Sequence, residues 1–85
     1  MERMTRRDAS GHVVLEACPG EAAGRLALFE DVCEAIAAEY GALGEELDRL
    51  RAAGKEKSYQ FREKMGRKLV DAQVLSLLRA KGLVP

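Results

Sequence analysis

The chain has 85 residues, 14 of them basic and 14 acidic, with a formal net charge of zero at neutral pH. That length allows one small domain and no second independent core. The balanced charge counts against a generic DNA binder, which carries a basic excess, and no apolar run approaches the ~18 residues of a membrane span.

Two cysteines, Cys18 and Cys33, are too few for a disulfide scaffold. They form no CxxC pair, and a single histidine, His12, cannot complete a zinc site, so no metal or other cofactor is expected. Cys33 reads as a small core residue. Residues 1–8 are charged and no apolar stretch follows, so no signal peptide is expected, and the chain is read as cytoplasmic, in a reducing compartment.

Residues 1–20 read as a short β-hairpin or arm, and residues 21–85 as a helical hairpin. In the first segment, residues 3–7 supply one strand, Asp8-Ala9-Ser10-Gly11 a turn, and residues 12–15 the returning strand. Asp and Gly carry the turn chemistry, and Val13 and Val14 favour extension. Cys18-Pro19-Gly20 punctuates the chain before the first helix.

Met1-Glu2-Arg3-Met4-Thr5-Arg6-Arg7-Asp8, with the later Arg25-Leu26-Ala27-Leu28-Phe29-Glu30-Asp31, resembles a broad group of small phage- and prophage-encoded proteins. Those proteins begin with a Met-Glu-Arg-Leu-Thr run and carry an Arg-Leu-Ala-x-Tyr-Glu-Asp segment. Here Met4 and Phe29 replace the leucine and the tyrosine. Many of those proteins break after this segment with a Thr-Gly-Leu-Thr-Pro turn, where this chain continues as helix. The stretch from Gly54-Lys55-Glu56-Lys57-Ser58 to Gly82-Leu83 is similar to the same kind of protein. The resemblance implies a mobile-element origin, a place of action in the host cytoplasm and no catalytic residues.

The first helix is expected to begin within residues 21–25 and to end near Ala53. Leu26, Phe29, Cys33, Ile36, Tyr40, Leu43, Leu47 and Leu50 recur in steps of three and four, the heptad seam that keeps one helix edge against a partner. Leu28 and Val32 widen the apolar face in the first half. Gly41 and Gly44 each cost roughly 1 kcal/mol relative to alanine in a helix interior. A continuous helix is predicted, with a break at residues 41–44 as the alternative.

Gly54 suits the left-handed position after a helix, and Ser58 suits an N-cap, so a second antiparallel helix follows over about residues 58–81. At 100° per residue, Phe61, Met65, Leu69, Ala72 and Leu75 gather on one side, within about 120°. Tyr59, Gly66, Val70, Val74 and Leu77 gather on the other, with Lys64, Arg67 and Asp71 in the gap between. Two apolar faces require two partners, so the fold class is mainly α: a helical hairpin with a short N-terminal arm, oligomerising into a helical bundle, most simply as a dimer. The expected interface between copies comprises Leu26, Phe29, Cys33, Ile36, Tyr40 and Leu43 of the first helix and Val70, Val74 and Leu77 of the second.

Charge is segregated along the chain. Residues 21–48 hold eight acids against Arg25, and residues 49–68 hold eight bases against Glu56 and Glu63. One expectation is that the basic tip of one copy faces the acidic half of another. A second is a phosphate or nucleotide site built from Arg49, Arg51, Lys55, Lys57, Tyr59 and Arg62, since cations beside aromatic rings can hold phosphates while bases stack. The plain alternative is a solvated charged surface, with Phe61 in the core.

No nucleophile-base-acid set, P-loop or paired catalytic carboxylates occur, so no enzyme is expected. The functional reading is a non-enzymatic accessory protein that binds a host protein through an oligomeric helical surface. Antagonism of a host defence system is what the resemblance and small size add. A nucleotide or nucleic-acid binder, including a signal-nucleotide sponge, is the alternative.

Overall fold

The computed structural model describes residues 1–85, with β1 (Thr5–Arg7), β2 (Val13–Leu15), α1 (Pro19–Ala52) and α2 (Tyr59–Ala80) in chain order. The fold is mainly helical, two antiparallel helices preceded by a two-stranded antiparallel hairpin. Contacts divide the chain inside α1 into two compact units, Met1–Asp31 and Val32–Pro85.

In the first unit, β1 and β2 pair Thr5 with Leu15, Arg6 with Val14 and Arg7 with Val13. The turn forms because Asp8 organises it: its Oδ1 accepts from the backbone N–H of Ser10 at 2.9 Å and of His12 at 3.0 Å. Gly11 adopts φ 84°, a conformation that side-chain-bearing residues rarely take. The Glu16 N–H donates to the Met4 carbonyl at 2.8 Å, and Arg6 pairs with Glu16 across the strands. The helix starts at Pro19, earlier than expected. Proline fits the first helical position, where its fixed φ helps and its missing N–H is no loss.

In the second unit, α1 runs without a break through Gly41 and Gly44 to Ala52. Gly54, at φ 73°, ends it: the Gly54 N–H donates to Arg51 and the Lys55 N–H to Leu50, the paired bonds of a Schellman motif. Ser58 then caps α2, its hydroxyl accepting from the Phe61 N–H at 3.1 Å. A second motif of the same kind closes α2, with Gly82 at φ 71° and the Leu83 N–H donating to Leu78.

Cross-helix pairs set the antiparallel register: Glu39 with Arg67, Tyr40 with Lys68, Glu46 with Lys64, and Arg51 with Phe61. The core between the helices is Cys33, Leu43 and Leu47 of α1 against Phe61 and Leu75 of α2, with Leu47 and Leu75 almost completely enclosed. Asp71 is buried among them.

The inner face of α2 differs from the apolar cluster expected. Leu69 is exposed, while Lys64 and Lys68 are half-buried and Asp71 fully so. The helix is rotated toward its lysines because their aliphatic stems pack on α1 while their ammonium groups reach Glu46 and the Tyr40 ring. Leu69 therefore turns outward.

Candidate functional site

The first unit contains a concave apolar hollow of about 490 Å³, walled by Met1, Met4 and Leu15 on one side and Leu26 and Phe29 on the other. Seam residues of α1 meet hairpin residues here, since the steps of three and four that bury Cys33 and Leu43 also aim Leu26 and Phe29 at the strands. The hollow has no carboxylate, imidazole or thiol in its walls. Arg25 borders it and forms no ion pair; its Nη1 donates to the Glu2 carbonyl at 3.1 Å. Leu26, Leu28 and Phe29 remain exposed on this part of α1. Methionine-rich, adaptable apolar walls can take an apolar side chain or helix face.

The residues expected between copies divide into two sets. Cys33 and Leu43 are buried within the chain, and Ile36 and Tyr40 are half-buried. Their partner is α2 of the same hairpin, so a second copy has no access to Cys33 and Leu43. Leu26, Phe29, Val70 and Leu77 stay exposed, and Val74 half-buried.

The segregated charges meet inside the second unit. Lys64 pairs with Glu46, and Arg67 with Glu39. Lys68 lies over the Tyr40 ring and Arg51 over the Phe61 ring, each 5.2 Å from the centroid. Arg51 also reaches Asp48 at 3.2 Å. The acidic and basic blocks therefore match across the hairpin itself, an assignment that differs from the pairing expected between copies. A hairpin turning at residues 53–58 brings residues of one block opposite the other, so the signal lay in the sequence once the turn was located.

Of the phosphate candidates, Arg49, Lys55 and Lys57 have no ion-pair partner, and Tyr59 is 78% exposed. Arg62 Nη2 donates to the Lys57 carbonyl at 3.4 Å. The N–H groups of Gly54 and Lys55 donate to Arg51 and Leu50 carbonyls at the end of α1, and that of Ser58 to the Lys55 carbonyl, so those groups cannot cradle an anion.

Sequence reasoning missed the carboxyl pair of Glu39 and Asp71. The hydrogen bond from Arg67 holds the Glu39 carboxyl below its usual value. The Asp71 carboxyl is pushed up, first by its hydrogen bond with Glu39 and then by burial. Its Oδ2 is enclosed with no hydrogen-bond partner. Glu46 is held low by the hydrogen bond from Lys64. No group of three or more His, Cys, Asp or Glu side chains is placed to share a metal ion, and no helix is long and apolar enough to cross a membrane. Comparison with known protein families, with curated proteins and with solved structures finds no match to this chain.

Proposed function

We propose that this chain is a small non-enzymatic accessory protein that binds another protein and assembles with copies of itself. The observation that carries this reading is the hollow of Met1–Asp31, with Leu26 and Phe29 exposed in its wall. Apolar groups gathered in a concave surface favour a partner that removes them from water, at about 25 cal/mol per Å² covered. The resemblance to small phage-encoded proteins supports a host protein as that partner, and a component of a defence system as the first to test. Leu26→Glu and Phe29→Glu place charges on this surface without touching the buried core. Capture of the host partner should be lost in both variants, with helicity by circular dichroism unchanged. Undiminished capture by both would overturn the reading.

A second reading rests on Tyr59, exposed beside the unpaired Lys55 and Lys57. Under it, the hairpin tip holds a nucleotide phosphate while Tyr59 stacks on the base. Thermal melts with cyclic nucleotides, ATP or short DNA should then rise with ligand concentration. No rise with any of them removes this reading and leaves the first.

A further inference from the structure

The side of α2 that faces away from the core is a self-complementary seam. At 100° per residue, Tyr59, Glu63, Gly66, Val70, Val74, Leu77 and the capping residue Lys81 lie along one stripe. Tyr59, Val70 and Leu77 are 78%, 53% and 73% exposed and Val74 is half-buried, so the chain itself leaves most of the stripe uncovered. Glu63 and Lys81 are exposed and neither has an ion-pair partner within the chain. We propose that a second copy of this chain covers the stripe, α2 against α2, antiparallel about a two-fold axis at Val70.

The order of residues along the stripe selects this occupant. Reversed about Val70, the stripe maps onto itself: Gly66 falls opposite Val74 of the second copy, Glu63 opposite Leu77, and Tyr59 opposite Lys81. Each small position meets a larger one, the Tyr59 ring meets an ammonium group, and Glu63 lies within a turn of Lys81. A parallel pairing would instead set Glu63 on Glu63 and Lys81 on Lys81, and would leave a gap at Gly66. Charge complementarity and side-chain size therefore choose the same orientation.

Gly66 supplies an independent argument. A glycine in mid-helix is unfavourable relative to alanine, and within the chain nothing lies within 4 Å of where its Cβ would be. Neither a close contact nor a left-handed backbone requires glycine there. The open space over it has room for the larger Val74 side chain of a second copy.

This pairing supplies the self-association included in the reading above, yet it uses no residue of the hollow, so the two fail separately. Sedimentation equilibrium of the full chain at micromolar concentration should give a dimer. Gly66→Leu and Val70→Glu should each give a monomer with unchanged helicity. Glu63→Lys should weaken the dimer by roughly fivefold, the scale of two exposed ion pairs lost, one on each side of the two-fold axis, and adding Lys81→Glu should restore it. Leu26→Glu, in the wall of the hollow, should leave the dimer intact. A monomeric wild-type chain would overturn the proposal. So would a dimer that persists in Gly66→Leu and Val70→Glu, or a double charge swap that fails to recover the loss.

Discussion

Val32–Pro85 and Met1–Asp31 are stabilised in different ways. The first has a core in which Leu47 is 1% and Leu75 2% exposed, with ion pairs and cation–ring contacts around it. The second has no buried residue: Met1, Val13, Leu15, Leu26, Leu28 and Phe29 are all substantially exposed. Its order comes from backbone bonds of the Asp8 turn, three strand pairs and the start of α1. One region builds a buried core while leaving Tyr59, Leu69, Val70 and Leu77 in water, and the other buries no side chain at all. The buried core thus belongs to one stretch of the chain, and the other falls at the less stable end of the fold, where few apolar contacts are buried.

The contrast is broken most directly by truncating one leucine in each region. Leu47→Ala should destabilise the chain by about 2–5 kcal/mol, from lost burial and the cavity left between the helices. Leu26→Ala, at a side chain already 57% exposed, should change stability by no more than about 0.5 kcal/mol. Chemical denaturation followed by circular dichroism compares the two. Equal losses would mean that the first region carries a share of the core after all.

A smaller effect, of opposite sign, is expected at Gly44. A Cβ there would lie 3.6 Å from the Lys68 ammonium nitrogen, an ordinary contact. Gly44→Ala should therefore stabilise the helical hairpin by about 1 kcal/mol, raising the denaturation midpoint without altering the slope. A loss would show that Lys68 cannot move aside.

The smallest expected effect depends on pH. The folded chain holds the Asp71 proton more tightly than the unfolded chain does, because of Glu39 and burial. The stability contributed by that proton is present below the ordinary carboxylate value and is lost as pH rises through the raised folded value. Glu39 runs the other way: its contribution is present above the ordinary value and lost as pH falls through the lowered one. Asp71→Asn supplies a neutral donor to Glu39 at every pH, so it should raise the melting temperature at pH 7, with the gain shrinking toward pH 4. A gain that does not change with pH would mean that the Asp71 carboxyl is not held above its ordinary value.

Much of the fold was legible because its signals are local. Asp8 and Gly11 announced the turn, Gly54 the end of α1 and Ser58 the start of α2, each through a backbone conformation or capping bond that its residue type favours. The seam from Cys33 to Leu50 was legible because helical spacing fixes which side chains share a face. The inner face of α2 was misjudged at Leu69, since an apolar count gives no weight to a lysine whose stem packs and whose ammonium group finds a partner. The hollow was not legible either, because it needs Met4 and Leu15 beside Leu26 and Phe29, residues distant in the chain.

By itself, the sequence determined the elements, most of their ends and their antiparallel order, since those depend on neighbouring residues and short turns. Tertiary structure decided how α2 is rotated, where the charged blocks find partners, and which leucines stay in water. Those outcomes depend on which side chains meet across a gap, and that is settled when the helices pack.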